Sequence, residues 1–217
     1  MKILILGGTG RTGRHLVGEA LDRGHIVHVL VRYPGKLMCQ DDRLIVFKGT
    51  PLSREDLEEA MKDCEAVLCA LNISRKSDFP WSKLVTPPTF LSESMHHVVE
   101  LAPRFDLQRV ITITAAGVGD TAQYTPGWFR WIINHSNIGI TYEDHNRQEQ
   151  ILMESRLRWS IVRPVGLTNS EKNKPVKVSV PGVEKPGFTI SRKNVARFMI
   201  DILEKDQYIQ EAPTISE

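Results

Sequence analysis

The stretch that decides the fold is MKILILGGTGRTGRHLVGEALDRGHIVHVLVR, residues 1–32. An apolar run over residues 3–6 leads directly into a turn that contains four glycines. A helical pattern follows, and Gly24 is placed to end it in the left-handed conformation that glycine adopts at helix C-termini. A second apolar run, residues 26–31, ends at Arg32. The order strand, glycine turn, helix and strand predicts the opening unit of a dinucleotide-binding α/β fold.

The glycines of this turn have separate expected roles. Gly7 permits the tight turn after the strand, Gly10 lets the backbone approach a pyrophosphate, and Gly13 lets the helix pack closely on the sheet. The motif is either G-x-G-x-x-G from Gly8 or G-x-x-G-x-x-G from Gly7, and the second is favoured because Gly7 directly follows the strand. The helix N-terminus then offers N–H groups and a positive dipole end to the phosphates, with the Thr12 hydroxyl as a further donor.

The residue after the second strand predicts which dinucleotide binds. Proteins that prefer NAD usually carry Asp or Glu there, against the ribose 2′-hydroxyl. This chain carries Arg32, with Lys36 just beyond it. A guanidinium pairs with a 2′-phosphate through parallel hydrogen bonds, whereas a carboxylate would repel it. We therefore expect NADP(H) as the cofactor.

Composition limits the possible functions. With 217 residues, of which 41% are hydrophobic, the chain is predicted to form one domain over residues 1–217 with a sizeable core. A net charge of +2 gives no reason to expect a nucleic acid or an anionic membrane as partner. The first apolar run is too short for a signal peptide, and no stretch is long enough to span a bilayer. The three cysteines form no C-x-x-C pair, which favours reduced thiols in a cytoplasmic protein.

Strand and helix patterns alternate along the rest of the chain. Ser53 is predicted to cap a helix, with Asp56 completing a capping box, and Ser191 is predicted to cap the last helix. Further helices are expected at residues 89–101 and 142–156. Strands are expected at residues 44–47, 66–71, 110–114, 159–162 and 176–180. Strands that alternate with helices pair in parallel through right-handed crossovers, so the sequence predicts a single doubly wound (Rossmann) α/β domain.

Two segments at the predicted carboxyl ends of strands carry aromatic residues. Ligands bind at such ends in open α/β sheets. Phe79 and Trp81, in the loop over residues 72–88, either touch a ligand or anchor the loop. Trp128 and Phe129 begin an apolar, helix-like segment that belongs either to the core or to a lid over a flat ligand. These four aromatic residues are the candidate substrate-binding residues.

Several of these features together resemble one protein family. The glycine turn, the strand end at residues 31–32, the segment 114–116 (TAA), the run 159–164 (WSIVRP) and the Ser191 helix are similar to those of atypical short-chain dehydrogenases/reductases. The most similar branch is the NAD(P)H-binding group that includes NmrA-like proteins and biliverdin-IXβ reductase, also called flavin reductase. Residues 144–155, DHNRQEQILMES, resemble a late helix of that reductase. The glycine motif is common to a large superfamily, whereas the WSIVRP run is more specific to this branch.

The resemblance implies cofactor contacts at the matching positions. The pyrophosphate would be held by Gly7, Thr9, Gly10, Arg11, Thr12 and Gly13, and the 2′-phosphate by Arg32 and Lys36. Thr50 and Pro51 would lie near the adenine, although the family often has Asp where Thr50 stands. Ala70, Leu71 and Asn72 would pass under the ribose. The nicotinamide would be bordered by Thr114, Ala115, Pro164, Val165 and Gly166.

The candidate catalytic residues depart from the family pattern. Typical short-chain dehydrogenases use a Tyr-x-x-x-Lys pair and a serine after the fifth strand. Here Tyr142 is followed four residues later by Asn146, and Ala115 occupies the serine position. Gly166 occupies the position of the reductase's histidine near the nicotinamide. Thr114 and Tyr142 are the candidate catalytic residues, and the competing interpretation of Tyr142 is that of an ordinary helix residue.

The histidine residues and the possible nucleophiles indicate neither a metal site nor a hydrolytic site. His96 and His97 are adjacent, so their side chains diverge on a helix, and no third ligand is spaced to complete a metal site. His145 fits no nucleophile–base–acid arrangement and is expected at the surface. No site supports hydrolysis by a serine or cysteine nucleophile.

These residues favour an NADPH-dependent reductase of a flat, conjugated acceptor such as a flavin or a quinone. Reduction of an ordinary carbonyl needs a positioned proton donor, whereas a flavin or quinone spreads the incoming charge over its rings and is protonated by solvent. A site without the Tyr-Lys pair suits the second chemistry. The alternative is a redox-sensing or assembly protein of NmrA-like type that binds NADP(H) without turnover. The expected partner is a small aromatic or conjugated molecule, and a monomer is favoured over an oligomer.

Overall fold

The computed structural model describes residues 1–180 and 182–217. The strands are β1 (Lys2–Leu6), β2 (Ile26–Val31), β3 (Leu44–Lys48), β4 (Ala66–Cys69), β5 (Arg109–Ile113), β6 (Arg158–Pro164), β7 (Gly166–Thr168), β8 (Lys177–Ser179), β9 (Thr189–Ser191) and β10 (Thr214–Ser216). The helices are α1 (Gly13–Asp22), α2 (Arg54–Met61), α3 (Phe90–Leu101), α4 (Gly127–Asn134), α5 (Ile138–Met153) and α6 (Arg192–Glu204).

An eight-stranded sheet forms the centre of the fold, in the order β3-β2-β1-β4-β5-β6-β10-β8. Strands β1 to β6 pair in parallel, and β10 pairs in parallel with β6 and antiparallel with β8. The chain winds outward from β1 in both directions, which makes the space between β1 and β4 the switch point where open α/β sheets bind ligands. The predicted doubly wound α/β fold is therefore confirmed.

Helices cover both faces of the sheet. The buried apolar faces of α1 and α6 pack on one side, around Leu16, Val195 and Met199. Helices α2, α3 and α5 pack on the other side, around Met61 and Met95. Because β1, β2, β4, β5 and β6 are parallel, their ends meet at one edge, which we call the carboxyl edge. No helix among the described residues combines the length and the apolar character that crossing a membrane requires.

Element boundaries differ from the predictions at several places. Helix α5 begins at Ile138, earlier than the predicted Tyr142, and β4 ends at Cys69, before the predicted Leu71. Strands β7, β9 and β10 have three residues each and were not predicted, because so short a run carries no readable alternation. These differences leave the doubly wound arrangement of the sheet unchanged.

The predicted capping box at α2 is only half formed. The Ser53 hydroxyl accepts a hydrogen bond from the Asp56 N–H at 3.2 Å, as expected for an N-cap. The Asp56 carboxylate does not return to Ser53 and instead accepts from the Thr50 N–H at 2.9 Å. This second bond stabilises the turn that follows β3, where the adenine is expected to lie.

Candidate cofactor and acceptor site

The glycine turn lies at the switch point and is packed closely on the sheet. Gly7 has a φ of +86°, and a Cβ there would lie 2.6 Å from the carbonyl oxygen of Ala70. A Cβ on Gly13 would lie 2.0 Å from the Gly7 carbonyl oxygen. The Gly10 N–H donates to the same oxygen at 2.8 Å. These backbone contacts explain why glycine stands at positions 7 and 13, and they favour the G-x-x-G-x-x-G spacing.

The outer surface of this turn is suited to a pyrophosphate. Thr9, Gly10 and Arg11 are exposed, and no side chain caps the first turn of α1 at Thr12. The uncapped N–H groups and the positive end of the helix dipole are the groups that bind phosphate at such turns. The residues present therefore fit the diphosphate of a dinucleotide.

Two cations lie where the adenosine ribose is expected. Arg32 directly follows β2, is exposed, and holds its guanidinium carbon 6.0 Å from the centre of the Phe90 ring. Lys36 is also exposed and holds its amine 5.0 Å from the centre of the Tyr33 ring. The end of β2 therefore presents positive charge, as a 2′-phosphate site requires.

The ends of β3 and β4 supply the positions expected near the adenine and the ribose. Thr50 and Pro51 follow β3, and the Pro51 carbonyl accepts a hydrogen bond from Nδ1 of His97 at 3.0 Å. Within residues 1–180 and 182–217, no group of three or more His, Cys, Asp or Glu side chains is placed to hold a metal ion. The Ala70 N–H donates to the Leu6 carbonyl at 2.9 Å. Residues 70–72 therefore run beside the glycine turn.

The ends of β5 and β6 lie side by side where the nicotinamide is expected. The Thr114 N–H donates to the Val162 carbonyl at 2.9 Å, and the Ala116 N–H donates to the Pro164 carbonyl at 2.9 Å. These bonds extend the pairing of the two strands beyond their ends. Of the five candidate residues, Thr114 and Pro164 are buried, and the more accessible ones are Ala115, Val165 and Gly166.

A buried charged network lies beneath this end of the site. Glu149 on α5 and Arg163 on β6 are each 1% exposed, and they pair through Nη2–Oε2 at 2.6 Å and Nε–Oε1 at 3.0 Å. Thr114 donates to Oε1 of Glu149 at 2.6 Å, and Nη1 of Arg163 donates to Asp120 at 2.5 Å. Burial alone would lower the pKa of Arg163, but the hydrogen bonds to Glu149 raise it, so the guanidinium stays charged.

Sequence reasoning missed two members of this network. Glu149 and Asp120 carry no motif of their own. The available signal was Arg163 itself, because an arginine inside a buried strand needs an acidic partner. Which acid supplies it depends on how α5 and the loop after β5 fold over the sheet.

Tyr142 lies near the same loop but makes an inward contact. Its hydroxyl donates to the Ala116 carbonyl at 3.3 Å, and its ring meets the Phe129 ring edge-on at 6.0 Å between centres. Burial raises the pKa of Tyr142 to about 12. Asn146, which stands where typical members of the family have lysine, supplies no positive charge to oppose this rise.

The expectation of a surface His145 is wrong. The residue is 3% exposed, and its Nδ1 lies 3.1 Å from Oε1 of Gln148. Burial lowers the pKa of its imidazole. The reason is the helix phase: residues 145, 148, 149 and 152 form one i, i+3, i+4, i+7 face of α5, and that face is buried.

Asp144, the residue before His145, caps a different helix. Its carboxylate accepts from the Leu91 N–H at 2.7 Å and from the Ser92 hydroxyl at 2.5 Å, both in the first turn of α3. The carboxylate is buried, and an acid at a helix N-terminus stabilises the helix dipole. Asp144, which belongs to the segment that carries the family resemblance, thus joins α5 to the first turn of α3.

Phe79, Trp81, Trp128 and Phe129 form what we call the aromatic rim. The indole N–H of Trp81 donates to the His135 carbonyl at 2.6 Å, so Trp81 anchors its loop to the segment after α4. Phe79 packs on Trp81, with ring centres 5.2 Å apart, and is 62% exposed. Trp128 is 69% exposed, and α4 has no buried residue, which excludes the core interpretation of this segment. The lid interpretation stays a prediction.

The family model described as NAD(P)H-binding matches residues 7–206 of this chain. An uncharacterized chloroplastic protein of Arabidopsis thaliana is 23% identical over 220 residues, which span 97% of this chain and 72% of that protein. Photosystem II assembly factor Ycf39 of Synechocystis is 35% identical over 71 residues, which span 32% of this chain and 22% of that factor.

Solved structures share the fold over the whole chain. A short-chain dehydrogenase/reductase of Veillonella parvula, crystallised with NADP, has a TM-score of 0.79 at 20% identity and covers 100% of this chain and 94% of its own. The anaerobilin reductase ChuY of Escherichia coli has a TM-score of 0.82 at 17% identity and covers 100% of this chain and 97% of its own. At such identities the likeness establishes the fold.

Proposed function

Since this chain belongs to the NAD(P)H-binding family, we propose that it is an NADPH-dependent reductase that transfers hydride to a flat, conjugated acceptor such as a flavin or a quinone. When bound, NADPH supplies the hydride, and solvent supplies the proton that completes the reduced acceptor. The protein contributes binding, orientation and the exclusion of water.

The observation that carries this proposal is that the candidate hydroxyl groups point into the protein. Tyr142 donates to a backbone carbonyl and has a pKa raised by burial to about 12. The hydroxyl of Thr114 donates its hydrogen bond to the carboxylate of Glu149. A carbonyl substrate forms an alkoxide as hydride arrives, and it needs a positioned acid at that moment. A flavin or quinone delocalises the charge, so this site suits such an acceptor better.

The aromatic rim supports a flat acceptor. Phe129 of this rim packs edge-on against Tyr142, whose hydroxyl donates to the carbonyl of Ala116, next to the residues expected around the nicotinamide. Exposed aromatic rings stack on flat conjugated molecules with centroid separations of about 4.5–7 Å. Two rim pairs, Phe79–Trp81 and Trp128–Phe129, supply such surfaces.

The preference for NADP over NAD is part of the proposal. Arg32 and Lys36 are both exposed at the end of β2, where the ribose 2′ position of a bound dinucleotide is expected. Two cations and no carboxylate at this strand end favour a 2′-phosphate over a bare hydroxyl.

The test is NADPH consumption with a panel of acceptors. Flavin mononucleotide and a small quinone should be reduced, whereas simple aldehydes and ketones should be reduced weakly or not at all. Product analysis should show one reduced acceptor for each NADPH consumed. Faster turnover of a simple aldehyde than of every flavin and quinone would contradict the proposal.

A second function is favoured by one specific comparison. The chain is 35% identical over 71 residues to a protein named as an assembly factor, and the same inward-pointing hydroxyls suit a protein that binds NADP(H) without turnover. Addition of flavin or quinone to the NADPH-loaded protein distinguishes the two functions. Tight NADPH binding with no consumption by any acceptor would favour the sensor or assembly function.

A further inference from the structure

Helices α1 and α6 lie side by side and point the same way. Near their C-terminal ends, Arg23 forms ion pairs with Glu204 at 2.8 Å and with Asp201 at 2.7 Å. Their apolar faces share one core. The first turns of both helices therefore lie together at the carboxyl edge, with the glycine turn between α1 and the sheet.

Arg192, the first residue of α6, is a buried cation at this place. It is 9% exposed, and its Nη1 donates to Oδ1 of Asn169 at 2.7 Å and to the Leu167 carbonyl at 3.4 Å. Its other guanidinium nitrogens have no hydrogen-bond partner within residues 1–180 and 182–217. Burial lowers the pKa of Arg192, and the positive charges of Arg11 and Arg14 lower it further, whereas the negative charge of Asp78 raises it. Cations crowded in this way favour a bound anion.

The facing carboxylate is Asp78, from the 72–88 loop. Arg11 donates to both of its oxygens, through Nη1 at 2.8 Å and Nη2 at 2.9 Å. The hydrogen bonds from Arg11 lower the pKa of Asp78, and the charge of Arg192 lowers it further. A carboxylate held bidentately by arginine has the geometry that a phosphate oxygen pair would take. Asp78 thus occupies an anion position on Arg11, close enough for its charge to act on that of Arg192.

We propose that Arg192 is a second arginine of the pyrophosphate site, and that Asp78 is an internal anion which the cofactor's diphosphate displaces from Arg11. The ligand class rests on the proposed function, but the assignment concerns the diphosphate and not the acceptor. Arg32 acts on the 2′-phosphate alone, whereas Arg192 acts on a group that NADPH and NADH share. Displacement of Asp78 also removes one of the contacts that hold the loop carrying Phe79 and Trp81.

The competing explanation is that Arg192 only holds β7 against α6 through Asn169 and Leu167. A purely structural arginine would change the unfolding temperature and leave the relative affinities for dinucleotides unchanged. A role in binding the diphosphate predicts three effects on affinity. Substitution of Arg192 weakens the binding of NADPH and NADH equally, and substitution of Asp78 strengthens the binding of both. Substitution of Arg32 weakens the binding of NADPH only.

The experiment measures calorimetric affinities of the full chain for NADPH and NADH. Arg192→Gln keeps a donor for Asn169. It should weaken the binding of NADPH and of NADH by a similar factor of roughly 10–150, which corresponds to the loss of a hydrogen bond to a charged group. Asp78→Asn should tighten both by roughly 1.4–5-fold, because an exposed ion pair no longer competes. The matched control is Glu171→Gln, which removes the carboxylate 3.5 Å from Lys193 on the same first turn and should change neither affinity.

The outcomes separate this inference from the proposed function. Equal weakening by Arg192→Gln in a protein that turns over no acceptor supports the inference and counts against the reductase function. Normal affinities in Arg192→Gln, or weakening of NADPH alone, overturn the inference whether or not turnover occurs. If Arg192→Gln does not fold, the Asp78→Asn variant tests the inference. Dinucleotide binding that is weaker than in the wild type, or unchanged, overturns it. A wild-type chain that binds neither dinucleotide overturns both proposals.

Discussion

The hydroxyl of Thr114 donates to Oε1 of Glu149 at 2.6 Å. An ionised carboxylate only accepts hydrogen bonds, so this contact commits the one hydroxyl proton of Thr114 to the protein interior. The same carboxylate is held by Arg163 on its other side. Thr114 is thus oriented as a partner of a buried ion pair rather than as a donor to a substrate, and this orientation can be tested.

Thr114→Val should keep NADPH oxidation by flavin or quinone within the same order of magnitude, because the hydroxyl does not deliver a proton. The free energy of unfolding should fall by about 1.5–3 kcal/mol, since a hydrogen bond to a charged group is lost. Urea unfolding and steady-state rates measure the two effects. Thr114→Ser should restore the stability. A folded Thr114→Val protein without turnover would show that the hydroxyl takes part in the reaction.

Tyr142→Phe should leave reduction of flavins and quinones unchanged. The phenol already donates to the Ala116 carbonyl, and Asn146 in place of lysine leaves it without a positive neighbour on the same helix turn. Rates with flavin, quinone and a carbonyl panel, compared between wild type and variant, measure this. A large carbonyl rate in the wild type that the substitution abolishes would identify Tyr142 as the proton donor after all.

Tyr142 should also influence stability at high pH. Its pKa is raised by burial from 10.0 to about 12 in the folded chain, so the unfolded chain loses this proton first. The contribution to stability is therefore complete below pH 10 and is lost as the pH rises towards 12. In denaturant titrations across this window, the stability of wild type should fall more steeply than that of Tyr142→Phe. If the stability of the two proteins fell equally with pH, Tyr142 would not have a raised pKa in the folded chain.

Arg32→Ala should weaken NADPH binding by roughly 10–150-fold, the value of hydrogen bonds to a charged group, with the lower end expected if Lys36 supplies part of the attraction. NADH binding should change little, because NADH has no 2′-phosphate. Arg32→Asp should reverse the preference, since it repels the phosphate and offers the ribose hydroxyls an acceptor. Calorimetry with both dinucleotides measures this, and equal binding of both by wild type would show that Arg32 does not contact the 2′ position.

Removal of one member of the Glu149–Arg163 pair should lower the stability of the folded chain more than replacement of both members. Arg163→Met alone should destabilise the chain by about 3–5 kcal/mol, because it leaves Glu149 as a buried, unpaired charge. Glu149→Leu combined with Arg163→Met should recover much of this loss, since apolar side chains can fill the same space. Chemical denaturation of the two single variants and the double variant measures the coupling. Additive losses would mean that the two side chains do not act as a pair.

The local order of the chain was readable from the sequence wherever consecutive residues specify it. The run from Lys2 to Arg32 contains a strand, its turn, a helix with its stop at Gly24, and the next strand, and all four form as predicted. The reason is that hydrophobic periodicity and glycine stereochemistry act over a few residues. The same local reasoning predicted that Arg32 follows the second strand and that Ser191 caps α6 through the Asn194 N–H.

Contacts between distant residues were decided only by the tertiary structure. His145 was expected at the surface but is buried, because it shares one face of α5 with Gln148 and Leu152, and the fold packs that face inward. Glu149 and Arg163, Arg11 and Asp78, and Trp81 and His135 meet across separate elements. Their pairing depends on how helices and loops stack over the sheet, and neither periodicity nor spacing along the chain encodes that stacking. The sequence by itself determined the doubly wound frame and the place of the glycine turn, whereas only the packed chain decided which polar groups point inward and which remain free for a ligand.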